Sequence, residues 1–460
     1  MLQPSPRSPL SIPALRTAVT GRVIAPGDAG YDAARLVVLG GIDRHPAVIV
    51  RVADAADVAQ VIGVARETGL ELAVRSGGHS GAGHGTTEGG ILLDVSAMKE
   101  IEVDLEGRTV WAGAGLAAGE LTTALHAHGM AVGFGDTASV GIGGITTGGG
   151  IGYLVRKHGL TIDSLLAADV VTADGELVRA DAASHPDLFW AIRGGGGNFG
   201  VVTRFLFHLQ EVGTIMGGML ILPATAATIA GFIAAAEAAP EELSTIANVM
   251  PAPPMPFLAP EHHGKLVVMG LLVHVGAVEA GEHAVAPFRA LAEPLADMIR
   301  PMGYPEIYPP EDPDYHPHSV AKTLFMDRLG PDEAAAILAG LEVSDAPMRA
   351  VQLRVLGGAM ARVPAHTTAF AHRASRILAI VAAIHGGTPD EQARHRAWVN
   401  EMVATLGQDD HGAYVSFLAD EGQARVREAY PGATWDRLVA VKRRYDPTNL
   451  FRLNQNVPPG

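Results

Sequence analysis

The chain has 460 residues, 48% of them hydrophobic and 18% charged, with a formal net charge of −15 and no cysteine. That composition supports a large core in roughly two to four domains and does not suit a disordered chain. It excludes a disulfide framework, cysteine-ligated zinc and thiol catalysis, and the lack of a basic run argues against a nucleic-acid partner.

No apolar run near the start is long enough for a signal peptide, and no stretch of about 18 apolar residues occurs, so a cytoplasmic protein without a membrane partner is expected. Residues 1–45 read as a lead-in with one short helix near "GYDAARLVVL". "PAVIVRV" is β-branched and predicts a strand. The next segment, 54–70, predicts a helix capped by Asp54 and closed by Gly69, and "ELAVRS" (71–76) predicts a strand, giving a βαβ-like opening. "GGILLDVS" and "TVWAGAG" are further strands, 117–129 is a helix with a glycine stop, and 167–180 is a strand pair across "DG". After about residue 212 the glycine clusters end. An Ala-rich helix follows in "ATAATIAGFIAAAEAAP", then Pro-rich loops at 250–264 and 303–318, and strands in "AVQLRVLGGAM" (350–360) and "SRILAIVAAI". The last forty residues carry a helix, "TWDRLVAVKRRY", and the ending "DPTNLFRLNQNVPPG". The expected division is a lead-in (1–45), a glycine-rich domain (46–212), a second domain (213–412) and a segment (413–460) that returns to the first.

The glycine-rich stretch 135–160 has four readings. A Walker loop needs a Lys-Ser/Thr after its last glycine, and none follows Gly144 or Gly152. A Rossmann fingerprint is suggested by Gly113, Gly115 and Asp136, but the third glycine is Ala118 and the strand is not the first of a βαβ unit. Isolated turns explain single glycines, yet not a doublet at 143–144 and a triplet at 148–150 beside Gly135, Gly141 and Gly152. The fourth reading adds "RSGGHSGAGHG" (75–85), placed straight after a strand. Two such loops can grip the two ends of one dinucleotide with backbone N–H groups.

"RSGGHS", "GDTASVGIGGITTGGGIGYLVRKHGLTIDSLL", "DLFWAIRGGGGNFGVVTRF" and "YDPTNLFRLNQNV", in that order, resemble the FAD-linked oxidases of the vanillyl-alcohol-oxidase class. Within that class the chain is most similar to the berberine-bridge-enzyme-like group, and within the group to its nicotine oxidases. The resemblance implies an α+β fold: a two-part FAD-binding domain plus a substrate domain with an antiparallel sheet covered by helices. It implies FAD bound through Arg75, Ser76, Gly77, Gly78, His79 and Ser80, with His79 as the mono-covalent link and His84 as its neighbouring decoy. Thr137 stands where many relatives have a second, cysteine link, and Val140 where a small residue goes with oxidase behaviour. Gly135, Gly141, Gly143, Gly144, Gly148, Gly149, Gly150, Gly152 and Tyr153 would let the backbone run along the cofactor. Asp163, Asn198, Gly200, Val201 and Val202 would complete its ribose and adenine end, and Asn454 and Asn456 would close over it.

Family members often use a tyrosine from a "Y-x-N" strand as base. Here "GAYVSFL" offers Tyr414, with Ser416 in place of the asparagine. On the strand 350–360, Gln352, Arg354 and Leu356 share one face. The lysine and two acids of the nicotine oxidases are absent there, so Arg354 is expected to meet a carboxylate, phenolate or keto oxygen or to form a salt bridge. His372 is a further candidate. The His-rich "EHHG" and "YHPH" lie in Pro-rich loops without metal-ligand spacing, and no metal is expected. The leading expectation is a hydride-abstracting oxidase of a small or mid-sized secondary metabolite, monomeric or homodimeric, with O2 as acceptor. The competing ones are a dehydrogenase or internally cycling enzyme of the same fold, and a flavin-loaded binding protein without turnover.

Overall fold

The computed structural model describes residues 8–460, so the first seven residues of the expected lead-in lie outside the described residues. The fold is α+β, built on three main sheets. In the first, the helix Ala55–Thr68 joins the strands Val48–Arg51 and Leu72–Arg75. Asp54 caps it by accepting the Asp57 N–H, Gly69 ends it with φ 67°, and Val58, Val61, Ile62 and Ala65 form its buried face. The two strands do not pair with each other. Ile91–Asp94 lies between them, parallel to both, because its unbroken apolar run Ile91, Leu92 and Leu93 is fully buried on both faces of the sheet. Arg22–Ile24, from the lead-in, adds an antiparallel edge.

The second sheet is antiparallel, in the order Ile101–Asp104, Thr109–Gly113, Val201–His208, Leu165–Val171, Leu177–Asp181. Its last two strands are the hairpin that "DG" predicts. Phe205 and Phe207 on the central strand stack at 5.6 Å between ring centroids, and Phe134 meets Phe207 edge-on at 5.9 Å. The loops at the end of this sheet therefore start from a rigid base.

The third sheet, also antiparallel, is built on the long strands Thr214–Pro223, Leu266–Val275, Leu243–Pro251, Met348–Val355, Ile377–His385 and His318–Met326, in that order across the sheet. Strand alternation sends Val351, Leu353 and Val355 into one face, where they pack with Phe232, Phe288, Ile337 and Val399 from the covering helices. The opposite face carries Asn248, paired in register with Gln352, and Arg354. This is the face turned toward the first half of the chain, since Arg354 donates to the backbone of Ile151.

After the helix Pro389–Leu406 the chain returns to the first half, where the helix Ala433–Tyr445 packs on Pro186–Ile192. The return is pinned by Lys442, fully buried, whose ammonium donates to Asp446 Oδ2 (2.7 Å), Asn198 O (2.8 Å) and Phe451 O (3.0 Å). Asp446 in turn accepts the N–H groups of Leu450 and Phe451. Asn198, also fully buried, donates to Gly195 O and Gln455 O and accepts the Val457 N–H. The "GGGGNFG" turn and the chain's last segment are thus held as one unit. Among the described residues no helix is long and apolar enough to cross a membrane.

Candidate functional site

A cavity of about 370 Å³ runs between the two glycine-rich loops and the returning tail, within the size range of cofactor and ligand sites, roughly 300–1,000 Å³. One wall is the loop Arg75–Ser80. A second holds Gly135, Thr137, Val140, Gly141, Gly143, Gly144 and Gly148. Gly200, Val201 and Val202 form a third with Asn454, and Tyr414 closes one side.

Some of these residues serve the wall more than its contents. Arg75 spends its guanidinium on Asp94 (2.9 Å) and on the lead-in carbonyls of Ala34 and Leu36. The glycines also divide. A Cβ on Gly77 would lie 2.2 Å from the Gly141 nitrogen, so these two are glycine because the two loops cross backbone to backbone. Gly152 would meet the Phe134 carbonyl oxygen at 1.4 Å, and Gly150, at φ +84°, would meet Thr161. Gly144 is different: nothing lies within 4 Å of its added Cβ, which leaves the cavity as the space it would enter. The expectation that the whole series makes room for a cofactor is therefore corrected. Much of it makes room for the protein's own backbone, and Gly149, Gly150, Gly152 and Tyr153 are not on the cavity wall.

Other expected residues lie elsewhere. Asp163 is committed to a bidentate pair with buried Arg373 (2.7 and 2.8 Å) and to the Leu160 N–H, not to a ribose. Asn456 is off the wall, and its backbone oxygen accepts from Gln423. His372 lines a separate pocket with Asp410 and Arg427, and hydrogen-bonds the Ala429 carbonyl at 3.2 Å. It is not on the wall of the main cavity. Arg354 is buried and held on several sides: it donates to Asp136 Oδ2 (2.7 Å), to Gln352 Oε1 (2.6 and 2.9 Å) and to Ile151 O (3.3 Å). Of the two roles expected for it, the salt bridge, to Asp136, is the one formed. Gln352, which also donates to Asn248 Oδ1, supports that network.

Tyr414 lies in irregular backbone just before the 3-10 helix Val415–Phe417, not in the expected strand. Its hydroxyl oxygen instead accepts the N–H groups of Gly150 (2.9 Å) and Ile151 (3.3 Å). Burial raises its pKa, opposed by the Ser416 hydroxyl, the two N–H groups and the Arg354 charge. Ile151 links the parts: its N–H reaches Tyr414 and its carbonyl reaches Arg354, which holds Asp136 on the cavity wall.

His79 lies on the wall with its Nε2 2.9 Å from Ser139 Oγ. Burial lowers its pKa, against the opposing charge of Glu311, and favours the neutral imidazole. His84, on the same wall, is held down to about 4, chiefly by burial and then by Arg44. Sequence reasoning missed Asp136, which it weighed only as the far end of a Rossmann pattern, and Phe417, which lies on the cavity wall and over whose ring Arg354 sits. Both stand inside stretches already singled out, but nothing in their spacing marks them.

The cavity has room and polar groups for a flat, polar ligand. Asn454 Oδ1, on its wall, is buried and has no hydrogen-bond partner among the described residues. Gly144 and Gly197 leave open space where side chains would stand.

Comparison with known proteins agrees. Residues 46–181 match a family described as FAD binding domain, and residues 397–458 one described as berberine and berberine like. The chain is 31% identical over 456 residues to (R)-6-hydroxynicotine oxidase of Paenarthrobacter nicotinovorans, covering 96% of this chain and 97% of that protein. Among solved structures it is similar to 6-hydroxy-D-nicotine oxidase of Arthrobacter nicotinovorans, with a TM-score of 0.86, 28% identity and coverage of 96% and 98% of the two chains. It is also similar to a xylooligosaccharide oxidase of Myceliophthora thermophila C1 in complex with xylobiose, with a TM-score of 0.83, 26% identity and coverage of 97% and 98%.

Proposed function

Since the chain belongs to the berberine-bridge-enzyme-like FAD-linked oxidases, we propose that it oxidises a C–H bond of a small or mid-sized neutral molecule, with FAD joined to the protein at His79 alone. It is an FAD-dependent oxidoreductase of the oxidase type, and FAD supplies a hydride acceptor that O2 reoxidises with release of H2O2. The observation that carries the single link is His79 on the cavity wall, neutral and nucleophilic, with Thr137 on the same wall and no cysteine in the chain. Val140, also on the wall, fits the use of O2.

The protein's own part is orientation and proton transfer. The Tyr414 oxygen accepts two backbone N–H groups, which hold it in place. Acting as base, Tyr414 would take the proton of the substrate's O–H or N–H as its phenolate, the form those two N–H groups stabilise. With Arg354 neutralised by Asp136, the site offers no unpaired cation, which favours neutral substrates over carboxylates. A cytoplasmic monomer or homodimer completes the proposal, and the lack of cysteine is compatible with a reducing compartment. The test is the mass of the denatured, desalted full chain beside its His79→Ala variant. One added FAD in the wild type, missing from the variant, is expected. A well-folded wild type of unmodified mass would overturn the link.

A further inference from the structure

Glu311 belongs to the Pro-rich loop 303–318, far from His79 in sequence and outside every motif that carries the family resemblance. In the structure its carboxylate grips Ser139 twice. Oε1 accepts the Ser139 N–H at 3.0 Å, and Oε2 pairs with the Ser139 hydroxyl. Ser139 Oγ is in turn 2.9 Å from His79 Nε2. The loop is anchored beyond this point, since His316 Nδ1 contacts the Val37 carbonyl at 3.0 Å and Gly40 N–H donates to Pro317 O.

The direction of these bonds follows from chemistry. An ionised carboxylate only accepts, so the Ser139 hydroxyl proton points to Glu311. The Ser139 oxygen then presents a lone pair to the imidazole, and His79 Nε2 must carry the hydrogen. Nδ1 is left with the free electron pair.

We propose that Glu311, acting through Ser139, is the proton acceptor for covalent attachment of FAD to His79. The proposal rests on the His79 link proposed above. The Nδ1 pair forms the bond to the flavin 8α carbon. The Nε2 proton passes to Ser139 Oγ as the serine's own proton passes to Glu311. In the net reaction the His79 N–H and one 8α C–H are replaced by a C–N bond, and the two protons and two electrons released go to O2 as H2O2. O2 is the oxidant the enzyme already uses. Without the carboxylate the partly buried imidazole would have to carry a positive charge through the bond-forming step, which its lowered pKa opposes.

The experiment uses the full chain purified from riboflavin-limited cells, then incubated with FAD in air. Aliquots are denatured over time and read by intact mass. Glu311→Gln keeps an oxygen able to accept the Ser139 N–H, so it removes the charge and keeps the clamp. Attachment at least tenfold slower in Glu311→Gln and in Ser139→Ala, with the wild type converting fully, is expected. Reversible FAD affinity, measured by flavin fluorescence with and without Glu311→Gln in a His79→Ala background, is expected to be equal. Wild-type attachment kinetics in Glu311→Gln would overturn the relay and leave the His79 link standing. An equal loss of affinity and attachment would reduce Glu311 to a structural clamp and also overturn it. No adduct on the wild type would remove the His79 link, and the relay with it.

Discussion

Gly144 tests which of the glycines serve the cavity and which serve the fold. It lies within the short helix Ile142–Gly148, on the cavity wall, with open space where its Cβ would stand. Gly144→Ala should therefore cost the apoprotein nothing and stabilise it by about 0.5–1 kcal/mol through helix propensity. Gly144→Val places three carbons where the cofactor is expected. Overpacking of that kind costs about 1–3 kcal/mol, or roughly 5- to 150-fold in FAD affinity. The control is Gly141→Ala, whose Cβ would lie 2.2 Å from the Gly77 nitrogen and should harm the fold itself. The assay is a fluorescence titration with FAD in a His79→Ala background, where binding is reversible, paired with thermal unfolding of the apoprotein. A Gly144→Val protein that folds normally and binds FAD with unchanged affinity would refute the assignment of this cavity to the cofactor.

Lys442→Met strands the Asp446 carboxylate in a fully buried site and removes three hydrogen bonds, so a loss of about 3–5 kcal/mol is expected. At roughly 2 °C per kcal/mol for a large domain this is a fall of about 6–10 °C in the unfolding midpoint, and FAD affinity should fall with it because Phe451 and Asn454 line the cavity. An unchanged midpoint would show that the ion pair does not hold the tail. His84 titrates near 4 in the folded chain and near 6.5 unfolded, so the unfolded state binds the extra proton between those values. His84 should contribute about 3 kcal/mol to the loss of apoprotein stability as pH drops through that window and nothing above it, so His84→Gln should lose about that much less over the window than the wild type. Urea titrations at pH 7 and pH 4.5 measure it.

Much of the fold was legible because local chemistry agrees with it. Asp54 and Gly69 bracket their helix, "DG" makes its hairpin, and the alternation of 350–355 orients its strand, all within a few residues of chain. The four motifs, in order, were enough to identify the family and FAD. The strand order of the first sheet was not legible, because Ile91–Asp94 takes the central place through burial on both faces, which no local pattern separates from burial on one.

The sequence by itself determined the family and, with it, FAD, since glycine-rich motifs act through main-chain atoms and keep their chemistry wherever the chain goes. Which side chains complete the site was decided only by the tertiary structure. Arg354 sits 218 residues from the Asp136 that neutralises it, Tyr414 sits 264 from the Gly150 N–H that holds it, and Glu311 sits 172 from Ser139. Asp163 and His372, close to motif residues in sequence, are claimed by Arg373 and the Ala429 carbonyl instead. A charged or hydrogen-bonding side chain takes its role from the partner that burial puts beside it, and across such separations only the packed fold chooses that partner.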